Sequence, residues 1–196
     1  MLVLSANVGM VVALVVVGLV ARSLGVLAAG GDYLGDALGT GLILVALRMS
    51  RDSQRHQRAP SYAALANASF LLLVTVAVIA EAMRRLISGA PHVEGLPVII
   101  ISVVAGVVMA ACALVIGSVE NDDLNMRSVM LDTLADGASA VGVAVSGVVI
   151  LVAHGGYWLD SAAALGISAI IAYHAARLIG EVLAALRGPQ HRPTAT

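Results

Sequence analysis

Residues 96–117 read LPVIIISVVAGVVMAACALVIG and contain no charged side chain. A helix of about 20 apolar residues crosses the roughly 30 Å hydrocarbon core of a bilayer, so this stretch predicts a membrane-spanning helix. Its apolar run is unbroken, whereas a strand of a membrane barrel alternates between polar and apolar residues. The segment therefore indicates a helical membrane protein.

Five further stretches share this length and character, which gives six predicted spans in all. They cover approximately Val3 to Ala21, Gly25 to Leu47, Tyr62 to Ile87, Met126 to Ala153 and Trp158 to Leu186. The first stretch lacks the basic segment that opens a secretory signal peptide, so we interpret it as a span. The predicted fold class is an all-α, polytopic membrane protein, with a six-helix transmembrane domain at 1–188, a short tail at 189–196 and no soluble domain.

The composition of the 196-residue chain excludes several classes of function. Hydrophobic residues make up 60% of it and charged residues only 12%, too few to cover the surface of a soluble domain. All 11 basic residues are arginines near the ends of the spans, which argues against nucleic-acid binding. The one cysteine, Cys112, cannot form an internal disulfide. No nucleophile–base arrangement, phosphate loop or Cys/His cluster is present, so we do not expect an enzyme or a bound cofactor.

The arginines also predict the orientation of the chain. Basic residues near the ends of spans favour the cytoplasmic side of a membrane. With six spans both termini lie on one side, and that side carries most of the arginines, namely Arg48, Arg51, Arg55, Arg58, Arg127, Arg177, Arg187 and Arg192. We therefore expect both termini in the cytoplasm, and the polar stretch from about Met49 to Pro60 as the longest loop.

Four aspartates lie within the predicted spans. Asp32 and Asp36 are in the second, and Asp132 and Asp136 are in the fifth. An aspartate at the centre of a span costs about 2.5–3.5 kcal/mol on insertion scales. Ionisable residues at this depth face the bundle interior or a water-filled cavity and mark ion pathways. We therefore take these four as the candidate functional residues.

The spacing of the aspartates predicts that they form one cluster. Members of each pair are four residues apart and share a helix face. The second and fifth spans are antiparallel in the six-span topology. Asp36 and Asp132 then lie within a few ångströms of the same depth in the membrane. Asp32 lies near the level of Asp136. Small residues beside the pairs would let the two helices approach closely, namely Gly31, Gly35, Gly39, Ala135, Ser139, Gly142 and Ser146.

Four buried carboxylates need neutralisation, and the chain contains no lysine. The arginines lie too near the helix ends to pair with a cluster in mid-membrane. Protons and a metal ion are the remaining candidates, because crowded and buried carboxylates disfavour their ionised form and metal ligands must be deprotonated to bind. A site that holds either a metal ion or protons has the minimum machinery for antiport.

Four segments together resemble the cation diffusion facilitator family of metal–proton antiporters. They are Ser23 to Leu38, Glu81 to Leu86, Leu124 to Asp136 and Tyr157 to Asp160, in the order of that family's second, third, fifth and sixth helices. The resemblance implies a secondary transporter in the bacterial inner membrane that exports divalent cations from the cytoplasm in exchange for protons. It also implies that Asp32, Asp36, Asp132 and Asp136 form a tetrahedral metal site.

Two departures from that family bear on its implied properties. Many zinc-transporting members carry histidine at the first position of one or both pairs, whereas both positions are aspartate here. Oxygen ligands shift preference towards Mn²⁺, although Zn²⁺, Co²⁺, Cd²⁺ and Fe²⁺ remain candidates, and zinc and manganese stay open. The family's usual C-terminal cytoplasmic domain is not present in this sequence, so we expect any homodimer to form through membrane helices.

Several other polar residues admit two interpretations. Glu120, Asp122 and Asp123 form either a solvated loop or a cation-attracting mouth. Asp160 is expected to complement the N-terminus of its own helix or to serve as an exit relay, and His174 to be either a packing residue or a proton relay. Glu81 and Arg85, four residues apart, are expected to pair.

Two alternatives to metal–proton antiport follow from the same residues. A proton or monovalent-cation channel would use the four carboxylates without any divalent ion. A non-transporting membrane partner of a larger assembly would tolerate replacement of the aspartates by asparagine. The retention of four costly buried acids argues against the second alternative.

Overall fold

The computed structural model describes residues 2–49, 53–117 and 124–187, with side chains chiefly in 8–39, 61–111 and 136–184. These residues form six helices and no strand. The helices are α1 (Leu2–Val20), α2 (Leu24–Met49), α3 (Ser53–Ser88), α4 (Gly95–Gly117), α5 (Leu124–Ala153) and α6 (Trp158–Arg187). The predicted all-α class is confirmed, and every predicted span lies within one helix or passes its end by a single residue.

One predicted boundary is wrong. The polar stretch from Met49 to Pro60 was expected to be a loop, but α3 begins at Ser53 and continues through Pro60. The segment contains three arginines and two glutamines, which are good helix formers in water. Its polarity therefore marks where the apolar part of α3 begins, whereas the helix itself begins earlier, at Ser53.

Apolar side chains cover the outside of the bundle, as expected for a protein in lipid. Leu73, Val107 and Val152 are 70%, 63% and 72% exposed. Three described stretches are long and apolar enough to cross a membrane by themselves, Ser61–Ser88, Asp136–Ala153 and Trp158–Ala184, and Val8–Val20 and Gly95–Ala111 are shorter apolar stretches. An apolar surface of this extent requires a lipid environment.

Helix α2 lies at the centre of the described bundle. It contacts α1, α3, α4, α5 and α6, whereas the outer helices pack mainly in pairs, α4 along α5 and α3 along α6. The tightly packed core includes Leu14, Val26, Val98 and Val143. The position of α2 therefore determines the geometry of any site that several helices build together.

The glycine stripe Gly31, Gly35 and Gly39 of α2 packs against α3. A Cβ at Gly31 would lie 3.2 Å from Val74, and one at Gly35 would overlap Leu71. These glycines allow a close helix approach, as expected of small residues in a membrane. These glycines were predicted to pack against the fifth helix, and the structure corrects their partner to the third. Gly31 and Gly35 each precede an aspartate by one residue, so they lie on a different face of α2 from Asp32.

Candidate functional site

A small cavity lies where α1, α2, α4 and α5 meet. It has a volume of about 10 Å³, which is room for about one water-sized species. Most of its wall is apolar, and its polar members are two carboxylates and three hydroxyl-bearing residues. The lining residues are Leu14, Val26, Ala29, Asp32, Tyr33, Ser102, Ala105, Asp136, Ser139, Ala140 and Val143.

The two carboxylates of the cavity come from different helices. Asp32 of α2 and Asp136 of α5 both line it, and both side chains are partly buried. Apart from these acids and the hydroxyl groups, the wall offers no polar side chain among the described lining residues. Two acids that line one small cavity can share a bound cation or protons, since like charges at one site disfavour the doubly ionised form.

Of the other two candidate aspartates, only Asp36 has a described side chain. Asp36 follows one turn after Asp32 and its side chain is exposed, outside the lining. Asp132 belongs to α5, but its side chain lies outside the described residues. Among the described side chains, no group of three or more His, Cys, Asp or Glu could hold a metal ion. The four-aspartate metal site therefore stays a prediction.

Sequence reasoning did not find two polar residues of the cavity. Ser102 is 4% exposed on α4, and Tyr33 is 3% exposed beside Asp32. Ser102 is the only serine in the apolar stretch 96–117, and a single polar residue in such a span could have been recognised as a candidate for the site. The sequence offered no such indication for Tyr33, because tyrosines of membrane helices are common at the membrane interface as well as in the core.

Asp160 contacts the start of α2 and not the backbone of its own helix. It is fully buried, and its Oδ1 accepts a hydrogen bond from Ser23 Oγ at 2.5 Å. The backbone N–H of Leu24 donates to Oδ2 at 2.6 Å and that of Gly25 to Oδ1 at 3.3 Å. Asp160 lies in the first turn of α6, as expected, and its hydrogen bonds also cap α2, which the sequence could not show because the partners lie far apart in the chain.

The turn between α1 and α2 is also held by two other elements. Arg85 at the end of α3 donates from Nη1 to the backbone oxygen of Arg22 at 2.7 Å, and the N–H of Glu94 donates to the oxygen of Ala21 at 3.2 Å. Glu81 pairs with Arg85 at 3.0 Å, which confirms the predicted pair, and also with Arg84. The turn that begins α2 is therefore fixed from three sides.

Of the remaining sequence candidates, only His174 lies among the described side chains, and it does not line the cavity. His174 is exposed on α6, and its ring meets that of Tyr173 edge-on at a centroid distance of 5.7 Å. Glu120, Asp122 and Asp123 lie outside the described residues. The described part of the site thus consists of Asp32 and Asp136 with their hydroxyl neighbours.

Fold and site together define a class: a polytopic helical membrane protein in which two helices bring carboxylates to one small interior cavity. Comparison with known families gives a narrower identification. The model of the cation efflux transmembrane domain matches residues 1–186. The chain therefore belongs to the cation efflux family, the cation diffusion facilitators, and is a multi-pass integral protein of the bacterial inner membrane.

Curated bacterial proteins resemble the chain at moderate identity. The zinc transporter ZitB of Yersinia pseudotuberculosis is 30% identical over 172 residues, which cover 84% of this chain and 54% of the relative. The cadmium, cobalt and zinc/H⁺–K⁺ antiporter of Bacillus subtilis is 25% identical, over 79% of this chain and 51% of the relative. The metal cation efflux system protein CzcD of Cupriavidus metallidurans is 26% identical, over 79% and 50%. The chain spans about half the length of these relatives.

Proposed function

We propose that the protein is a secondary transporter that exports divalent metal cations from the cytoplasm in exchange for protons. The observation that carries the proposal is that Asp32 and Asp136 line one small cavity between membrane helices. Membership of the cation efflux family and relatives named for zinc, cadmium and cobalt transport support the cargo class. Asp36 and Asp132, one turn away on the same two helices, are proposed to complete the site.

The size and chemistry of the cavity favour a dehydrated or partly dehydrated cation. A volume near that of one water molecule excludes a fully hydrated ion. Carboxylate and hydroxyl oxygens are ligands for Mn²⁺ and Mg²⁺ and also bind Zn²⁺. Donor chemistry thus favours Mn²⁺, while the names of the relatives favour Zn²⁺, and we propose Zn²⁺ or Mn²⁺ as the main cargo.

Exchange with protons follows from the competition for the same oxygens. Carboxylates must lose their protons to ligate a metal ion, so binding releases protons. When the site opens to the other side of the membrane and the metal leaves, the acids take up protons again, because two ionised carboxylates that share one small cavity disfavour each other's charge. One site thereby couples the two fluxes. Any homodimer of this chain is proposed to form through its membrane helices.

Titration calorimetry of the detergent-purified protein tests the site. Zn²⁺ and Mn²⁺ are titrated into the wild type, into the double variant Asp32→Asn/Asp136→Asn, and into Glu181→Gln as a matched control. Glu181 is an exposed acid on α6 that pairs with Arg177 at 2.7 Å, away from the cavity. We expect saturable binding with proton release in the wild type and the control, and none in the double variant.

Other outcomes of this titration separate the alternatives. A double variant that binds metal as the wild type does removes these two aspartates from the site. A wild type that binds neither ion, but makes vesicles conduct protons or monovalent cations, would identify a channel. A wild type that does neither would be a membrane partner of another protein.

A further inference from the structure

The first turn of α2 receives hydrogen-bond partners from another helix. The initial N–H groups of a helix have no partner within it, and a capping side chain from the preceding residues normally satisfies them. Here Ser23 Oγ accepts only from the N–H of Val26, at 3.1 Å. Asp160 of α6 accepts from the N–H groups of Leu24 and Gly25. The start of α2 is therefore completed by α6.

Because Asp160 is buried, its contact with α2 limits the relative movement of α2 and α6. Asp160 is 0% exposed, and a buried carboxylate is tolerated only where hydrogen bonds satisfy its oxygens. A movement of α2 away from α6 would leave both the carboxylate and the two N–H groups without partners in an apolar environment, where such losses are most costly. The contact consequently favours one relative position of the two helices.

The same contact reaches α5 and the cavity. A Cβ at Gly25 would lie 3.1 Å from Asp160 Oδ1 and 3.3 Å from Val143 of α5, so the three helices meet closely at Gly25. Val143 and the next residue of α2, Val26, both line the cavity with Asp32. Asp32 follows Leu24 by about 12 Å along α2, at 1.5 Å per residue, and a helix transmits a displacement of its start over that length.

We propose that Asp160 is a positioning residue that fixes the start of α2 and thereby sets where Asp32 stands relative to Asp136. The inference rests on the proposed function, because its consequence is the affinity of the metal site. Asp160 does not line the cavity and is not proposed as a metal ligand. It acts through the backbone of α2.

Zn²⁺ titration of variants at the contact tests the proposal. Asp160→Ala removes both acceptor oxygens, and we expect it to weaken Zn²⁺ binding about tenfold, at the lower end of the losses seen when groups that support metal ligands are changed. Asp160→Asn keeps one acceptor oxygen and should fall between Asp160→Ala and the wild type. Ser23→Ala removes one donor to Asp160 and the acceptor of the Val26 N–H, but leaves both acceptor oxygens of Asp160 in place, so it should weaken Zn²⁺ binding less than Asp160→Ala.

Two controls on α6 separate positioning from general destabilisation. Ile167→Ala opens a core position, at 7% exposure, and leaves both acceptor oxygens of Asp160 in place, so it should lower the thermal midpoint but leave the Zn²⁺ dissociation constant unchanged. Ser168→Ala removes a buried hydroxyl that has no hydrogen-bond partner in the described part of the chain, so it should not lower the thermal midpoint and should leave the Zn²⁺ dissociation constant unchanged. If Asp160→Ala and Ile167→Ala weaken Zn²⁺ binding equally for equal losses of thermal midpoint, Asp160 is only a structural residue and the proposal is overturned.

Hydrogen exchange at the amides of Leu24 and Gly25 gives a readout that does not depend on metal. We expect faster exchange at both in Asp160→Ala and Asp160→Asn than in Ile167→Ala, and unchanged exchange would contradict the proposal. A wild type that binds no Zn²⁺ while its Asp160 variants still expose these amides would overturn the proposed function and leave the contact between α6 and α2 established. If Asp160→Ala does not fold, Asp160→Asn and Ser23→Ala undergo the same two measurements.

Discussion

Asp32 and Asp136 line the same cavity although they come from the second and fifth helices of the chain. Their meeting depends on α2, which contacts every other helix in the described bundle. Changes that move α2 should therefore affect the cavity even where they lie outside it.

Removal of one cavity carboxylate should stabilise the metal-free protein. Asp136→Asn retains the shape of the side chain but removes one of the two acids that share the small cavity. We expect the free energy of unfolding to rise by about 0.5–2 kcal/mol, as is common where a functional site stores unfavourable interactions. Thermal unfolding in detergent with a chelator present measures this, with Glu181→Gln as the control. A lower midpoint for Asp136→Asn would show that its carboxylate stabilises the fold.

Metal affinity should increase with pH. Protons and metal ions compete for the same carboxylate oxygens, so the apparent association constant for Zn²⁺ rises as the solution loses protons and falls as it gains them. Calorimetry at several pH values, in buffers of different ionisation enthalpy, gives both the affinity and the number of protons released. An affinity that does not change with pH, with no proton release, would contradict exchange at one site.

Gly25→Ala should disturb the junction of α2, α5 and α6. The added Cβ would lie 3.1 Å from Asp160 Oδ1 and 3.3 Å from Val143, closer than ordinary contacts allow. We expect a loss of about 1–3 kcal/mol of stability, typical of overpacking, together with weaker Zn²⁺ binding. Gly166→Ala is the matched control, because a Cβ there meets nothing within 4 Å and alanine favours the helix. Equal behaviour of the two variants would refute the close packing at Gly25.

The contact between α2 and α3 can be tested by a compensating pair of substitutions. Gly35→Ala introduces a methyl group that overlaps the side chain of Leu71. We expect Gly35→Ala to lower the thermal midpoint, and Leu71→Ala to recover part of that loss when the two are combined, because the second change makes room for the methyl group. Strict additivity of the two losses would place Gly35 away from Leu71.

The sequence predicted the helices well because apolar length is a local property. The run from 96 to 117 defines α4 without reference to any other part of the chain, and the pairing of Glu81 with Arg85 follows from a spacing of four residues. The start of α3 was missed because polarity was taken as the end of a helix. Water-exposed turns of a membrane helix are polar without being irregular.

Contacts between distant segments were predictable only in part. The matched spacing of the aspartates indicated that α2 and α5 approach each other, and one carboxylate from each lines the cavity. The direction of the glycine face of α2 and the contact of Asp160 with Leu24 depend on how the helices rotate about their axes. No local pattern specifies that rotation, so Asp160 was expected to act on its own helix.

Countertransport in proteoliposomes tests the central claim most directly. Purified protein is reconstituted with a Zn²⁺-sensitive dye and a pH-sensitive dye inside the vesicles, and an acid-inside pH gradient is imposed before Zn²⁺ is added outside. We predict Zn²⁺ uptake that requires the gradient and is matched by proton efflux, with neither flux above empty liposomes for Asp32→Asn/Asp136→Asn. Zn²⁺ uptake without proton movement, or equal uptake by the double variant, would contradict metal–proton exchange through the cavity of Asp32 and Asp136.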